Sequence, residues 1–484
     1  MTEPSSLPFS EHLLRLAEQT SGADGALRSA FGDAFARDIL AIARNLISTD
    51  GRSFEEPEEL SYPTPEDEDA LADAIGEDPA RDFFDRLRER QSLRSQRLAE
   101  AGENAPAREV FLAELRRGAA TIDDGVVAME VITAESMHGE EDFDGEADGV
   151  NSLMLLAGRR TGRIFGALPL PPGADTPELV IEETLKSPAV RGLDPILHLS
   201  EDHGLEEVLR EMHCRRTPVL QRAGDPGSAM APVLAAAKEK LRTAPELFPD
   251  DPESRGVTDV SLSQPSPELT PVHLSVVEDE SGERARQESR EELEGIMRKL
   301  NASGNLSDLS EYEQELARGF LVPEKAAGDA FRCRVDEERF AEVTAHFGIL
   351  WFLSNFSLSV AEERRLEMIR LSAEEFLNAE SEEFDENSFS RDMSASLEEL
   401  EGRRFVKFCA LLIAQELGRI FLRARERLAE LDSETAEDEV VKHLRETLAS
   451  NSQADILAAL DRAVREAGDE GREIIERVFA PVSD

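Results

Sequence analysis

The densest group of metal-coordinating side chains in the sequence lies between residues 198 and 214. Its members are His198, Glu201, Asp202, His203, His213 and Cys214. Imidazole, thiolate and carboxylate groups bind a transition metal when their spacing lets them converge on one ion. The spacing fits no zinc-protease pattern, because no HExxH sequence occurs. The segment predicts either a metal site built from its three histidines and its cysteine, or a loop and helix with exposed or capping histidines.

An acidic run upstream has part of the pattern of a calcium-binding loop. Asp144, Glu146 and Asp148 stand at positions one, three and five of such a loop. Gly149 takes the sixth position, but the twelfth is Leu155, where the motif needs a bidentate glutamate. The run indicates either a weak divalent-cation site or a solvated connection between two strands.

Three arginines meet at a glycine-bounded loop. Arg159, Arg160 and Arg163 lie in or beside the loop Gly158–Gly162, between two apolar runs typical of a β-hairpin. Guanidinium groups and backbone amides suit a phosphate or carboxylate ligand. However, the chain contains neither GxxxxGK[ST] nor GxGxxG. The loop predicts either an anion-binding site or a turn whose arginines keep the hairpin soluble and pair with acidic neighbours.

Other catalytic patterns do not appear in the sequence. It has no GxSxG nucleophile elbow, and no cysteine or serine has a histidine in a recognised signature. Aromatic residues make up 5% of the chain, which supplies few platforms for sugars or bases. No cofactor is predicted, although the two segments with metal-ligand residues leave room for a divalent cation.

Composition limits the remaining classes of function. The chain has 484 residues, 54 of them basic and 102 acidic, and a formal net charge of −48. This charge repels phosphate backbones and anionic lipids, so we expect neither nucleic acid nor membrane surfaces as general partners. Three cysteines without a CxxC pair, and a start without a charged and apolar leader, predict a cytoplasmic location.

The hydrophobic pattern predicts a predominantly α-helical α+β protein with several domains. We expect strands at Val126–Ile132, on both sides of the Gly158–Gly162 loop and at Leu179–Ile181, which form a small antiparallel β unit in the first half. No regular βαβ alternation is apparent. The expected ranges are an N-terminal helical segment (1–49), an acidic, proline-rich linker (50–69), a helical segment (70–118), a small α+β domain with the hairpin (119–247), a second linker rich in Pro, Ser and Asp (248–282) and a helical C-terminal domain (283–484).

The longest uncharged stretch is Val343–Ala361. A bilayer span needs about 20 apolar residues, so this stretch is only just long enough. Polar residues occur throughout it and glutamates crowd both ends, which favours a buried helix over a membrane span. Its Trp351, the only tryptophan, is then expected in a dry core of the C-terminal domain.

One predicted helix is cationic in this acidic chain. Between Arg403 and Leu428 seven basic residues accompany two glutamates. Helical spacing gives this segment an apolar face in its first half and an arginine face in its second. The candidate interaction residues are Phe405, Phe408, Leu412, Arg419 and Arg423. We expect the helix to dock inside its own chain or a dimer.

These patterns predict a non-catalytic function. The expected role is regulation, scaffolding or assembly through contacts with protein partners or further copies of the chain. The alternative is a metal-dependent enzyme that uses the His198–Cys214 region. Membrane association through Val343–Ala361 is a third hypothesis.

Overall fold

The computed structural model of the protein describes residues 8–54, 65–119, 125–133, 151–171, 174–223, 231–248, 251–261, 269–278, 281–303, 305–323, 332–344, 348–379, 396–431, 439–450 and 452–480. The helices are α1 (Phe9–Ser21), α2 (Ala23–Phe31), α3 (Asp33–Ser48), α4 (Pro65–Ile75), α5 (Glu77–Glu103), α6 (Ala105–Ala119), α7 (Pro177–Lys186), α8 (Leu205–Cys214), α9 (Ala231–Thr243), α10 (Ser281–Ser303), α11 (Glu311–Phe320), α12 (Glu337–Val343), α13 (Val360–Asn378), α14 (Leu397–Ala429), α15 (Glu439–Leu448), α16 (Gln453–Glu466) and α17 (Asp469–Val478). The strands are β1 (Val126–Thr133), β2 (Asn151–Gly158), β3 (Ile164–Pro169), β4 (Ile196–Leu199), β5 (Val219–Ala223), β6 (Glu246–Phe248), β7 (Asp251–Ser261), β8 (His273–Glu278), β9 (Leu321–Pro323), β10 (Cys333–Val335) and β11 (Ile349–Ser354). Helices predominate in this part of the chain, so the protein is a predominantly helical α+β protein.

The chain divides into two units. The first comprises Met1–Pro195 and Met368–Asp484, and the second comprises Ile196–Glu367. The chain passes from the second unit into the first within α13.

The first unit is centred on the long helix α14, which lies against α1, α3 and α5. Its middle turns are buried on every side, because all seven consecutive residues 408–414 are buried. A helix that is apolar all round must be surrounded by other elements. Phe111 of α6 closes over its first turns, with its ring edge against Phe405 at a centroid distance of 5.1 Å.

Two glycines allow α5 and α14 to cross closely. A Cβ added at Gly102 would lie 1.7 Å from the carbonyl oxygen of Glu398, and one added at Gly402 would lie 1.7 Å from that of Leu98. No side chain fits in that space, so only glycine permits this approach of the two backbones.

Strands β1, β2 and β3 form antiparallel neighbours in the first unit. β1 pairs with β2 from Val126 opposite Gly158 to Thr133 opposite Asn151. β2 and β3 are joined by the loop that follows Gly158 and pair in antiparallel fashion, with a shift of register between Leu156 and Ala157. The hairpin predicted around this loop is therefore present.

The second unit contains six neighbouring strands in the order β4-β5-β11-β8-β7-β6. β4 and β5 are parallel and are joined by α8, whereas the other neighbours are antiparallel. One row of paired residues runs across the middle of this sheet: His198, Leu220, Ser354 and His273. Because side chains alternate along a strand, residues two positions from this row, such as Arg222 and Ser275, point to the same face.

Helix α13 covers that face of the second unit's sheet. Val360 packs at Gly256 of β7, where an added Cβ would lie 2.5 Å from a Val360 methyl group. Glu363 contacts Ser354 of β11. Glu367, one helical turn later, lies beside His198 of β4. The start of α13 therefore crosses the strands from β7 towards β4.

The expected strand at Leu179–Ile181 is wrong, since these residues lie in α7. The Thr176 hydroxyl accepts a hydrogen bond from the backbone N–H of Leu179, and Pro177 occupies the first helical position. This start signal outweighs the β-branched pair Val180-Ile181 that suggested a strand.

The expected buried helix at Val343–Ala361 is also wrong. Residues Ile349–Ser354 form the buried strand β11, and α13 begins only at Val360. A short apolar run fits a central strand as well as a buried helix, and periodicity alone does not separate them. Trp351 is nonetheless buried, at 3% exposure, within the sheet. Among the helices of the described residues, none combines the length and the apolar character needed to cross a bilayer.

The two ranges interpreted as linkers contain regular structure. Within 248–282, β7 and β8 pair as antiparallel strands of the sheet, which corrects the reading of that range as a linker. Polar composition is a poor guide here, because β7 forms backbone pairs with β6 on one side and β8 on the other whatever its side chains are. Within 50–69, α4 begins at Pro65, while residues 55–64 lie outside the described residues.

The sheet of the second unit combines strands from ranges that the sequence analysis keeps apart. The unit β4-α8-β5 is a single βαβ crossover, which falls short of the regular alternation that the sequence lacks. β11 lies between β5 and β8, so strands from three of the predicted ranges are neighbours. The sequence predicts that the last three helices begin near Thr435, Ser452 and Asp469, and α15, α16 and α17 begin at Glu439, Gln453 and Asp469.

Candidate functional site

The loop between β2 and β3 is a tight turn that presents arginines. Gly162 has a φ of 65°, a left-handed conformation that favours glycine. The backbone N–H of Gly158 donates to the carbonyl of Arg163 at 2.9 Å and closes the turn. The turn therefore holds Arg163 in a defined position beside β3.

Helix α14 makes two hydrogen bonds to this loop through one glutamine. The Gln415 amide donates to the carbonyl of Gly162 at 2.8 Å and accepts from the backbone N–H of Ile164 at 2.9 Å. One turn further along α14, Arg419 donates to the carbonyl of Thr161 at 3.1 Å. The two sets of arginines predicted from the sequence, on the loop and on the helix, are thereby brought together in the first unit.

We call Arg163, Arg419 and Arg423 the arginine cluster. Arg419 and Arg423 both contact Glu416, at 3.0 and 3.2 Å. The Arg163 guanidinium instead donates to the backbone carbonyl of Thr20. In the hydrogen bonds and ion pairs of these three side chains with the described residues, Glu416 supplies the only carboxylate.

The electrostatics of the cluster are those of a partly desolvated cationic site. Burial lowers the pKa of Arg419, and the nearby charges of Arg163 and Arg423 lower it further, while Glu416 opposes the change. The Arg419 and Arg423 side chains remain 25% and 43% exposed. Excess positive charge at a rigid, partly exposed position favours a carboxylate or phosphate ligand.

The other two predicted loop arginines lie beside the cluster. Arg160 is exposed at the tip of the turn, and Arg159 is half-buried, with its backbone N–H donating to Gly125 at 2.9 Å. Both make further contacts, so neither is unpaired.

The apolar residues predicted for an interaction face are part of the core. Phe405, Phe408 and Leu412 are 7%, 5% and 3% exposed, and the Phe111 ring packs against both phenylalanines. They fasten α14 to its own chain. Cys409, on the same helix, is fully buried, and burial raises the pKa of its thiol.

The histidines predicted as metal ligands take separate positions in the second unit. His198 lies in β4 and is fully buried, whereas His213 lies near the end of α8, with its Nδ1 2.8 Å from the carbonyl of Thr270. Cys214 is exposed, and the backbone carbonyl of His203 accepts from Gln221 at 3.2 Å. Within the described ranges, no three His, Cys, Asp or Glu side chains are placed to hold a metal ion.

The candidate cation loop cannot be placed. Asp144, Glu146 and Asp148 all lie outside the described residues.

His198 belongs to a buried polar layer between the second unit's sheet and α13. Its Nε2 lies 2.9 Å from Glu367 Oε2, outside hydrogen-bond geometry, and its Nδ1 has no hydrogen-bond partner among the described residues. Glu367 Oε1 lies 3.6 Å from the guanidinium of Arg222, which in turn contacts Glu201 at 3.2 Å. This series of polar contacts leads from the fully buried imidazole of His198 to the half-exposed Glu201.

Glu363 continues the polar layer one helical turn earlier. The Ser354 hydroxyl donates to Glu363 Oε1 at 3.1 Å. Burial raises the pKa of Glu363 to about 8, and Glu246 and Glu362 add to the rise, while the hydrogen bond from Ser354 opposes it. Near neutral pH this carboxyl group is therefore largely protonated.

Sequence reasoning missed Glu363, Glu367 and Arg222. The two glutamates are four residues apart and so share one face of α13, which is the signal that was available. Charged residues on the other faces of the helix made this pair of glutamates look like part of a solvent-exposed helix.

No known protein-family model matches the chain, and no curated protein sequence matches it.

Proposed function

We propose that the protein is non-catalytic and acts through protein–protein contacts, and that the arginine cluster binds an acidic segment of a partner. One observation carries the proposal: among the described residues, Glu416 is the only carboxylate that contacts any of Arg163, Arg419 and Arg423, in a chain whose net charge is −48. Over the whole chain 102 acidic residues outnumber 54 basic ones. A local excess of guanidinium is therefore where an acidic partner gains most.

The geometry favours carboxylate recognition over a diffuse attraction. Arg163 and Arg419 are held by backbone carbonyls of Thr20 and Thr161, so little side-chain freedom is lost when a ligand binds. A guanidinium group can still offer its remaining N–H donors to a carboxylate in a bidentate arrangement. The partner need only supply two or three glutamates or aspartates in extended order.

The proposal includes the finer organisation expected from the sequence. The strands β1 to β3 act as the small antiparallel unit, and their role is to present the loop to α14. The protein works as a scaffold or assembly factor in the cytoplasm, which its three unpaired cysteines favour. Neither nucleic acid nor a membrane surface is its partner, because the net charge opposes both.

Peptide binding tests this function directly. A fluorescein-labelled peptide of alternating glutamate and glycine, titrated with the full chain, should bind at low salt and weaken as salt rises. Arg163→Gln with Arg423→Gln should reduce the affinity about a hundredfold or more, since hydrogen bonds to charged groups contribute about 1.5–3 kcal/mol each and the double variant loses those of two guanidinium groups. The matched control is Arg462→Gln, an exposed arginine of α16, which should leave the affinity unchanged.

Two results would contradict the proposal. One is equal affinity of the peptide for the double variant and the unchanged chain. The other is tighter binding of a single-stranded RNA of equal charge, which would assign the cluster to phosphate backbones. Sedimentation at rising concentration shows whether the acidic partner is a second copy, since the double variant should then lose self-association.

A further inference from the structure

A separate cleft opens on the second unit, away from the polar layer. It has a volume of about 580 Å³. It is lined by Leu241, Arg242, Arg255, Glu278, Arg286, Arg290, Glu337, Phe340, Ala341 and Thr344. Small-molecule sites commonly enclose about 300–1,000 Å³, so the cleft has the size of a ligand site.

The fold places this cleft on the sheet face opposite α13. Gly256 faces α13, as its close approach to Val360 shows. Its neighbour Arg255 therefore points to the other face, where it stands directly opposite Glu278 of β8. Helices α9, α10 and α12 supply the walls.

The cleft is cationic, with four arginines against two glutamates in its lining. Arg290 is already neutralised, because both of its terminal nitrogens contact Glu337 at 2.6 Å and its guanidinium lies over the Phe340 ring. Arg242 is paired with Glu239, which is not part of the lining. The remaining two arginines of the lining are Arg255 and Arg286.

Those two arginines are held differently. Arg286 donates through Nε to the carbonyl of Thr344 at 3.0 Å, which fixes the direction of its guanidinium. Arg255 is exposed, and its side chain makes no hydrogen bond or ion pair with the described residues. An exposed arginine without such a contact, next to a positioned one in a cleft, is an arrangement suited to an incoming anion.

We propose that this cleft binds a small organic anion, with its carboxylate or phosphate head at Arg255 and Arg286 and its apolar body against Leu241 and Phe340. Leu241 and Phe340, which are largely buried, supply the apolar part of the cleft's lining, against which the apolar part of the ligand lies. Glu278 disfavours a second anionic group beside Arg255 and favours a hydrogen-bond donor there. This site lies in the second unit and goes beyond the proposed partner contact.

Calorimetric titration of the full chain tests the site with three probes: phenyl phosphate, phenylpropionate and inorganic phosphate. Phenyl phosphate or phenylpropionate should bind with one site per chain. Arg255→Gln should weaken that binding about tenfold, and Arg216→Gln, an exposed arginine that does not line the cleft, should not. Unchanged Trp351 fluorescence would show that the sheet of the Arg255→Gln variant is intact.

The probes separate the possible head groups. Binding of phenyl phosphate alone assigns the site to organic phosphates, and binding of phenylpropionate alone assigns it to carboxylates. Weaker binding of inorganic phosphate supports the role of the apolar wall. Phenylpropanol binding as tightly as phenylpropionate, no binding of either aromatic anion at millimolar concentration, or an unaffected Arg255→Gln variant would each overturn the proposal. The variant with Arg163→Gln and Arg423→Gln should retain this binding, so failure of one site does not decide the other.

Discussion

Helices α14 and α13 bury their side chains by opposite means. α14 is surrounded by apolar contacts, and Val406, Cys409 and Ile413 are completely buried without any charge. The start of α13 buries Glu363 and Glu367, each 0% exposed, against serine, histidine and arginine side chains of a sheet. The first helix gains stability from removing apolar surface from water, whereas the second must compensate for desolvated charge.

The two kinds of burial respond to different changes. Apolar burial is insensitive to pH and loses stability mainly when volume is removed. A buried polar layer stabilises little by itself, but it responds strongly to the loss of one partner or to a change in protonation. We expect the first unit to be sensitive to truncation and the second to charge.

Truncating the apolar face of α14 should have the largest effect. Phe408→Ala and Leu412→Ala should each lower the free energy of unfolding by about 2–5 kcal/mol, because cavities would form among buried rings. Circular dichroism during thermal unfolding measures the change. Arg419→Gln with Arg423→Gln should lower the melting temperature far less. A larger loss from the arginine pair would show that charge, not packing, fastens α14.

Removing the buried carboxylate of Glu367 comes next. Glu367→Leu should lower the stability of the second unit by about 1–3 kcal/mol, because among the described residues Arg222 keeps only Glu201 and the buried His198 loses the polar group beside its Nε2. Trp351, in β11 beside this layer, reports the urea midpoint by fluorescence.

The double variant sharpens this test. His198→Leu together with Glu367→Leu should recover part of the loss, because an apolar pair carries no desolvation penalty. Additive losses in the double variant would indicate that the two side chains act separately.

The pH dependence of Glu363 should have an effect of a few kcal/mol. Its pKa of about 8 in the folded protein exceeds the ordinary value of 4.5, so the folded state holds an extra proton between these values. The free energy of unfolding must then fall as the pH rises from about 4.5 to 8, by up to about 1.4 kcal/mol for each pH unit. Glu363→Gln mimics the protonated group and should be more stable than the unchanged chain at about pH 9 but similar near pH 5.

The neighbour on α13 provides the control for that experiment. Glu362→Gln changes the same charge at a half-buried position. Its difference from the unchanged chain should vary much less across the same pH range in Trp351 fluorescence. If both variants behave alike, the layer does not hold a protonated carboxyl group.

Sequence reasoning succeeded where the signal was local. The apolar spacing of Phe405, Phe408 and Leu412 predicts a packed face within α14, and all three are buried. The loop arginines and the helix arginines were each identified, but their meeting was not. Arg419 contacts a carbonyl 258 residues away in the chain, and one sequence contains no information about such a pairing.

The polar layer left almost no sequence signal. Glu363 and Glu367 stand among other charged residues, and helices with this composition usually face water. Their burial depends on Ser354, Arg222 and His198, which arrive on three separate strands. The apolar run before α13 was equally ambiguous, because six residues fit a central strand or a buried helix until their neighbours are known.

The smallest expected effect concerns Arg423 alone. Its side chain is 43% exposed, and its contact with Glu416 at 3.2 Å is one that solvent screens. Such pairs contribute about 0–1 kcal/mol, so Arg423→Gln should shift the melting temperature little, since Arg419 still compensates Glu416. Thermal unfolding by circular dichroism, compared with Arg462→Gln, measures this. A large loss from Arg423→Gln but not from the control would mean that the cluster is needed for folding. A small loss leaves Arg423 available for the acidic partner, since a residue that contributes little to stability can be retained for binding.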